Sequence, residues 1–163
     1  MLGLLTSNYL INVGFLAWIS AQVAKTILHY LVTGRWVSER MFGAGGMPSS
    51  HSALVCSITI GMVRKMGFDS PEFALALTLA AVVMYDAMGV RRAAGEHAKV
   101  INKLMFGFQF LDLTRLAQED EEEEQKLIDP EQEKLKEFLG HTPFEVLGGA
   151  LLGILIAMIV PVK

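Results

Sequence analysis

Four apolar runs, separated by short polar or glycine-rich breaks, constrain this chain more than any other feature. They occupy about residues 9–32, 49–66, 71–88 and 142–162. A helix that crosses a bilayer needs roughly 20 mostly apolar residues, range about 17–25. The first and fourth runs meet that length easily and the third adequately. The second has an uninterrupted apolar core of only 12 residues, 52–63, and reads as a tilted span flanked by a snorkelling Arg64 and Lys65, or as a re-entrant segment. The expected fold class is therefore all-α: one membrane-embedded domain over 1–163, an integral membrane bundle of about four transmembrane helices. Those helices are expected near 9–32, 49–66, 71–105 and 142–162, because the charged stretch 89–107 also reads as helical. An acidic loop is expected at 112–140. The first run has no basic residue before it and is longer than a signal peptide's apolar region, so it is expected to stay as a helix.

Charge is unevenly placed. Eleven of the 17 acidic residues fall within 112–137, six of them in the run 119–124. That run reads as a solvated linker, with cation binding as the lesser alternative. The net charge of -3 thus describes one loop, and with no basic surface to set against phosphodiester backbones, nucleic acid is excluded as a partner. The single cysteine, Cys56, cannot form an internal disulfide and leaves the redox compartment open.

Ionisable groups are costly inside a bilayer, so those within or at the ends of spans are functional candidates. Here they are Lys25, His29, His51, Asp86, Arg91, Arg92, His97, His141 and Glu145. If each run crosses once, all of them fall on one side. The other side keeps Arg64, Lys65, Asp69, Glu72 and Lys163. A shared site explains that partition.

Local spacing supports it, with plainer readings alongside. Pro48-Ser49-Ser50-His51 places two hydroxyls and an imidazole at a helix N-terminus, where unpaired N–H groups attract phosphate; the plainer reading is that Ser49 or Ser50 only caps the helix. His141 and Glu145 are four apart, so the carboxylate can orient the imidazole. Thr142-x-x-Glu145, with Pro143 at the first helical position, is also a capping box. Lys25 and His29 share a helix face and could simply reach the headgroups. Arg91 and Arg92 could simply bind anionic lipid. Gly149-x-x-x-Gly153 indicates close helix packing. The histidines are dispersed and inward carboxylates few, so no metal site is legible, and the glycine-rich stretch lacks the Gly-Lys-Ser/Thr of a nucleotide loop.

Two segments together resemble a known family. Pro48-Ser49-Ser50-His51 resembles the Pro-Ser-Gly-His motif of the type 2 phosphatidic acid phosphatase superfamily, which shares its site with vanadium haloperoxidases. His141-Thr-Pro-Phe-Glu145, followed by Gly148, Gly149 and Gly153, resembles that family's His-x-x-x-Asp helix. With 85–92 included, the likeness to the short divergent bacterial branch covers nearly the whole chain. The usual Lys-to-Arg-Pro spacing is changed: Lys25 is followed by Arg35, without a proline. Lys134 and Leu135 stand where the family has Ser-Arg ahead of the nucleophile. The resemblance therefore casts Arg91 and Arg92 as a displaced phosphate clamp, with Asp86 and Arg35 in support and His97 on the surface.

The resemblance implies a vanadate-sensitive lipid phosphatase without metal or cofactor. His141 would be the nucleophile that forms a phosphohistidine, Glu145 its orienting carboxylate, and His51 the acid and base. Lys25, Ser49, Ser50, Arg91 and Arg92 would hold the phosphate. The substrate would be a phosphate monoester or pyrophosphate of a lipid: phosphatidate, phosphatidylglycerophosphate or a polyprenyl phosphate. The alternative is a non-catalytic protein that binds anionic headgroups or acts as a scaffold. Fewer helices than the family usually has makes a homodimer an expectation. Eleven of the 14 Lys and Arg residues fall on the site's side, so that side is expected to face the cytoplasm, and the resemblance to a bacterial branch implies a bacterial plasma membrane.

Overall fold

The computed structural model describes residues 8–34, 46–116, 135 and 140–162. Among these, all regular structure is helical: α1 (Tyr9–Thr33), α2 (Ser50–Met66), α3 (Pro71–Met88), α4 (Val90–Leu116) and α5 (Pro143–Ile159). Arg35, most of the glycine-rich loop and the run 119–124 lie outside the described residues.

The ends follow from local chemistry. Asn8 caps α1, its Oδ1 accepting from the Leu10 and Ile11 amides at 2.9 and 3.4 Å. Ser70 caps α3, with Pro71 at the first position, where a missing N–H costs nothing. The third run does not stop at 105. After a break at Gly89 it continues as α4 to Leu116, so residues 112–116 are helix and not the start of the acidic loop. These five residues, Asp-Leu-Thr-Arg-Leu, begin with the first acid of the acidic stretch, and composition groups them with it although Phe106, Phe110, Leu113 and Leu116 keep a helical spacing.

α2 is the central helix, packed against α5, α1 and α3. It runs antiparallel to α1 and α3 and parallel to α5. Its contacts are made by small residues: Ala17, Ala21 and Ala53 form one buried cluster, with Leu152 and Ile156 against it. At the α2–α5 seam a Cβ on Gly149 would overlap the Ser49 carbonyl, and one on Gly153 the Ala53 carbonyl. Only glycine permits that approach. Parallel packing at backbone distance brings the N-termini of α2 and α5 side by side, which is what positions the site.

The outer faces of α1, α3 and α5 are largely apolar. α3 alone exposes Leu75, Leu77, Leu79, Val82 and Tyr85. In water such a surface would be an aggregation liability, whereas in lipid it is the solvated face. Hydroxyls within the helices are returned to their own backbone: Thr26 Oγ1 donates to Gln22, Ser57 to Leu54, Thr59 to Val55 and Thr78 to Ala74. α1 and the stretch Pro71–Gly107, in which α3 is followed by α4 after the break at Gly89, are long and apolar enough to span. α2 and α5, at 17 residues each, stand at the short end of the spanning range. Arg64 departs from the snorkelling expectation. Its guanidinium donates to the carbonyls of Ala157 and Val160 and to the Tyr9 hydroxyl, tying α2 to the last turn of α5 and to α1.

Candidate active site

The site is assembled at the end where α2 and α5 begin. Ser49 caps α2: its Oγ accepts from the Ser52 amide at 3.4 Å and from the Ser52 hydroxyl at 3.1 Å. Its own amide donates to the Glu145 carbonyl at 2.9 Å. Ser49 and Ser50 are both buried. The Ser49 amide is thus committed to α5, and Ser49 acts as cap and tie between helices, a role its place in the motif does not reveal.

Gly140, with φ +82°, turns the chain into α5. A Cβ there would strike the backbone of Arg91 and Arg92, so the turn lies directly on the start of α4. The next amide, that of His141, donates to the Ala87 carbonyl at the end of α3 at 2.9 Å. These two contacts hold His141, 5% exposed, against α3 and α4. Gly140 could have been suspected from its place before His141. Ala87 could not, because a backbone carbonyl leaves no mark in sequence.

Glu145 completes the capping box, its backbone amide donating to Thr142 Oγ1 and its Oε2 accepting from the Thr142 amide at 2.8 Å. The same Oε2 lies 3.3 Å from His141 Nδ1. A carboxylate only accepts, so Nδ1 carries the proton and Nε2 keeps its lone pair. Burial holds the His141 pKa below the ordinary histidine value; the Glu145 carboxylate opposes that fall, and Lys25 and His51 add to it.

The His51 ring stands 6.5 Å from that of His141, centroid to centroid, tilted by 56°. Between them opens a cleft of about 160 Å³ lined by His51, His141, Gly140, Asp86 and Arg91, with Val82, Val83 and Ala87 of α3 on its apolar side. Arg91 pairs with Asp86 at 2.5 Å across the α3–α4 break. Lys25, 3% exposed, lies with its methylenes along Gly46, and its charge acts on both imidazoles. The structure therefore brings together Lys25, His51, Asp86, Arg91, His141 and Glu145. It leaves the other described candidates apart: Arg92 and His97 are exposed on α4 and off the cleft, His29 does not line it, and Ser49 and Ser50, expected to hold phosphate, are buried and absent from its lining.

The chain matches the Divergent PAP2 family over residues 6–156 and belongs to it. It is 39% identical over 155 residues to the uncharacterized membrane protein YuiD of Bacillus subtilis strain 168, with 95% of each chain covered. With that kinship and its apolar exterior, the chain is an integral membrane helical bundle. No solved structure matches it.

Proposed function

We propose that the protein is a membrane-embedded phosphatase that hydrolyses a phosphate monoester or pyrophosphate of a lipid through a phosphohistidine. The observation that carries this reading is the His141–Glu145 contact facing His51 across a cleft walled by Arg91. Nε2 of His141 attacks phosphorus as the bond to the leaving oxygen breaks, and protonated His51 gives its proton to that oxygen. Glu145 stabilises the charge that His141 acquires. Neutral His51 then takes a proton from water, whose oxygen attacks phosphorus and breaks the P–N bond, releasing phosphate and restoring both histidines. Lys25 and Arg91 stabilise the equatorial oxygens, with Asp86 orienting the guanidinium.

A cleft of about 160 Å³ is smaller than the pockets of roughly 300–1,000 Å³ that enclose whole ligands, which suits a headgroup whose tail lies elsewhere. The basic side is assigned to the cytoplasm of a plasma membrane on charge bias. Phosphate release from lipid phosphates, compared between the wild type and His141→Ala, tests the catalytic reading. A variant that still binds lipid phosphate while the wild type releases nothing would favour a headgroup-binding protein instead.

A further inference from the structure

We infer that one hydrocarbon chain of the lipid phosphate lies in the groove between α1 and α2. This rests on the phosphatase reading for the headgroup's identity. The groove, about 400 Å³, is walled by Ile11, Phe15 and Trp18 of α1 and by Leu54 and Ile58 of α2. Its floor exists because α1 has Gly14 where the helices meet: a Cβ there would stand about 3.0 Å from the Ile58 side chain and 3.1 Å from that of Leu54.

Helical register connects this groove to the site. On α1 the spacing 11, 15, 18 continues as 22 and 25, so Gln22 and Lys25 extend the stripe begun by Ile11, Phe15 and Trp18. On α2 the spacing 58, 54 continues to 51, so His51 lies on the same face one turn above Leu54. The helices are antiparallel, and both stripes change from apolar to polar at the same end. At about 1.5 Å per residue, Leu54 and Ile58 lie roughly 4.5 and 10 Å below His51 along the axis. Successive methylenes of a chain attached to a phosphate at His51 would pass those levels. The charges also match, because Lys25 and Arg91 stand at the site end of the bundle while the five residues that wall the groove are uncharged. At the junction lies Gln22, 9% exposed, whose Oε1 has no hydrogen-bond partner. A single groove holds a single chain, so the second tail of a diacyl substrate would remain in the bilayer.

The test uses the full chain in lipid nanodiscs with two probes. The first is an alkyl phosphate carrying a diazirine at mid-chain. Photolysis should place adducts on Ile11, Phe15, Trp18, Leu54 or Ile58, competed by unlabelled dodecyl phosphate. Adducts spread over the outer face of α3 without enrichment in the groove would overturn the inference. The second probe is the ratio of kcat/KM for dodecyl over butyl phosphate. Ile58→Trp, which fills the groove, should lower that ratio by ~10-fold or more, since each buried methylene contributes about 0.8 kcal/mol. Leu79→Trp, on the lipid face of α3, should not change it. An unchanged ratio in Ile58→Trp would overturn the groove and leave the phosphatase reading intact. Groove adducts in a protein that releases no phosphate would sink the phosphatase reading and keep the groove.

Discussion

Oε2 of Glu145 is shared, accepting from the Thr142 amide at 2.8 Å and facing Nδ1 of His141 at 3.3 Å. Capping and orienting, which the sequence presents as alternatives, are one arrangement. The helix cap fixes the carboxylate, and the fixed carboxylate fixes the imidazole.

Glu145→Gln keeps much of the cap but removes the charge. We expect a folded protein destabilised by no more than about 0.5–2 kcal/mol, with turnover lowered at least ~10²-fold. Thermal unfolding and phosphate release, measured together, check this. Near-normal turnover would mean that Glu145 only caps.

The same contact sets a pH response. Burial lowers the His141 pKa and Glu145 opposes it, so Glu145→Gln should move the His141 NMR titration further down. Because the folded value is depressed, His141 contributes stability above its unfolded pKa of about 6.5, and that contribution is lost as pH falls through the folded value. An upward shift in the variant would contradict the geometry.

How much was legible in the sequence varies by residue. His141 and Glu145 could be paired because a helix places i and i+4 on one face. Gly149 and Gly153 announced a close helix contact but not its partner, since Ser49 and Ala53 lie about a hundred residues away in sequence. The commitment of the Ser49 amide to Glu145 and the destination of Arg64 are products of tertiary packing, and no local spacing encodes them. The extension of α4 to Leu116 was hidden because Asp112 opens the acidic stretch, and its charge outweighed the helical spacing of Phe110, Leu113 and Leu116.

The α2–α5 seam gives a packing prediction. In Gly149→Ala the new methyl meets backbone, which cannot turn aside, so stability should fall by about 1–3 kcal/mol and turnover with it, as His51 and His141 move apart. In Gly148→Ala the methyl meets only the end of the Met47 side chain, and melting temperature should barely change. Equal losses in both variants would contradict the seam.

Arg64 ties the opposite end of the bundle. Arg64→Met removes three hydrogen bonds to Tyr9, Ala157 and Val160, and unfolding should become easier by ~1 kcal/mol or more. Turnover per folded molecule should hold, because the site is at the other end. A fully stable variant would show that Arg64 is not a clamp.

Orientation can be read by labelling single cysteines in a Cys56→Ser background. A cysteine in place of Glu122 should resist an impermeant reagent in intact cells, and one in place of Lys163 should react. The reverse pattern would put the site on the outer face.

The most direct test of the account is phosphate release from phosphatidate, phosphatidylglycerophosphate and polyprenyl pyrophosphate by purified protein, with and without vanadate. The wild type should turn over at least one of them and be inhibited by vanadate. His141→Ala and His51→Ala, still folded, should each lose at least ~10²-fold in turnover. Undiminished release by His141→Ala would contradict the assignment of the nucleophile and the account built on it.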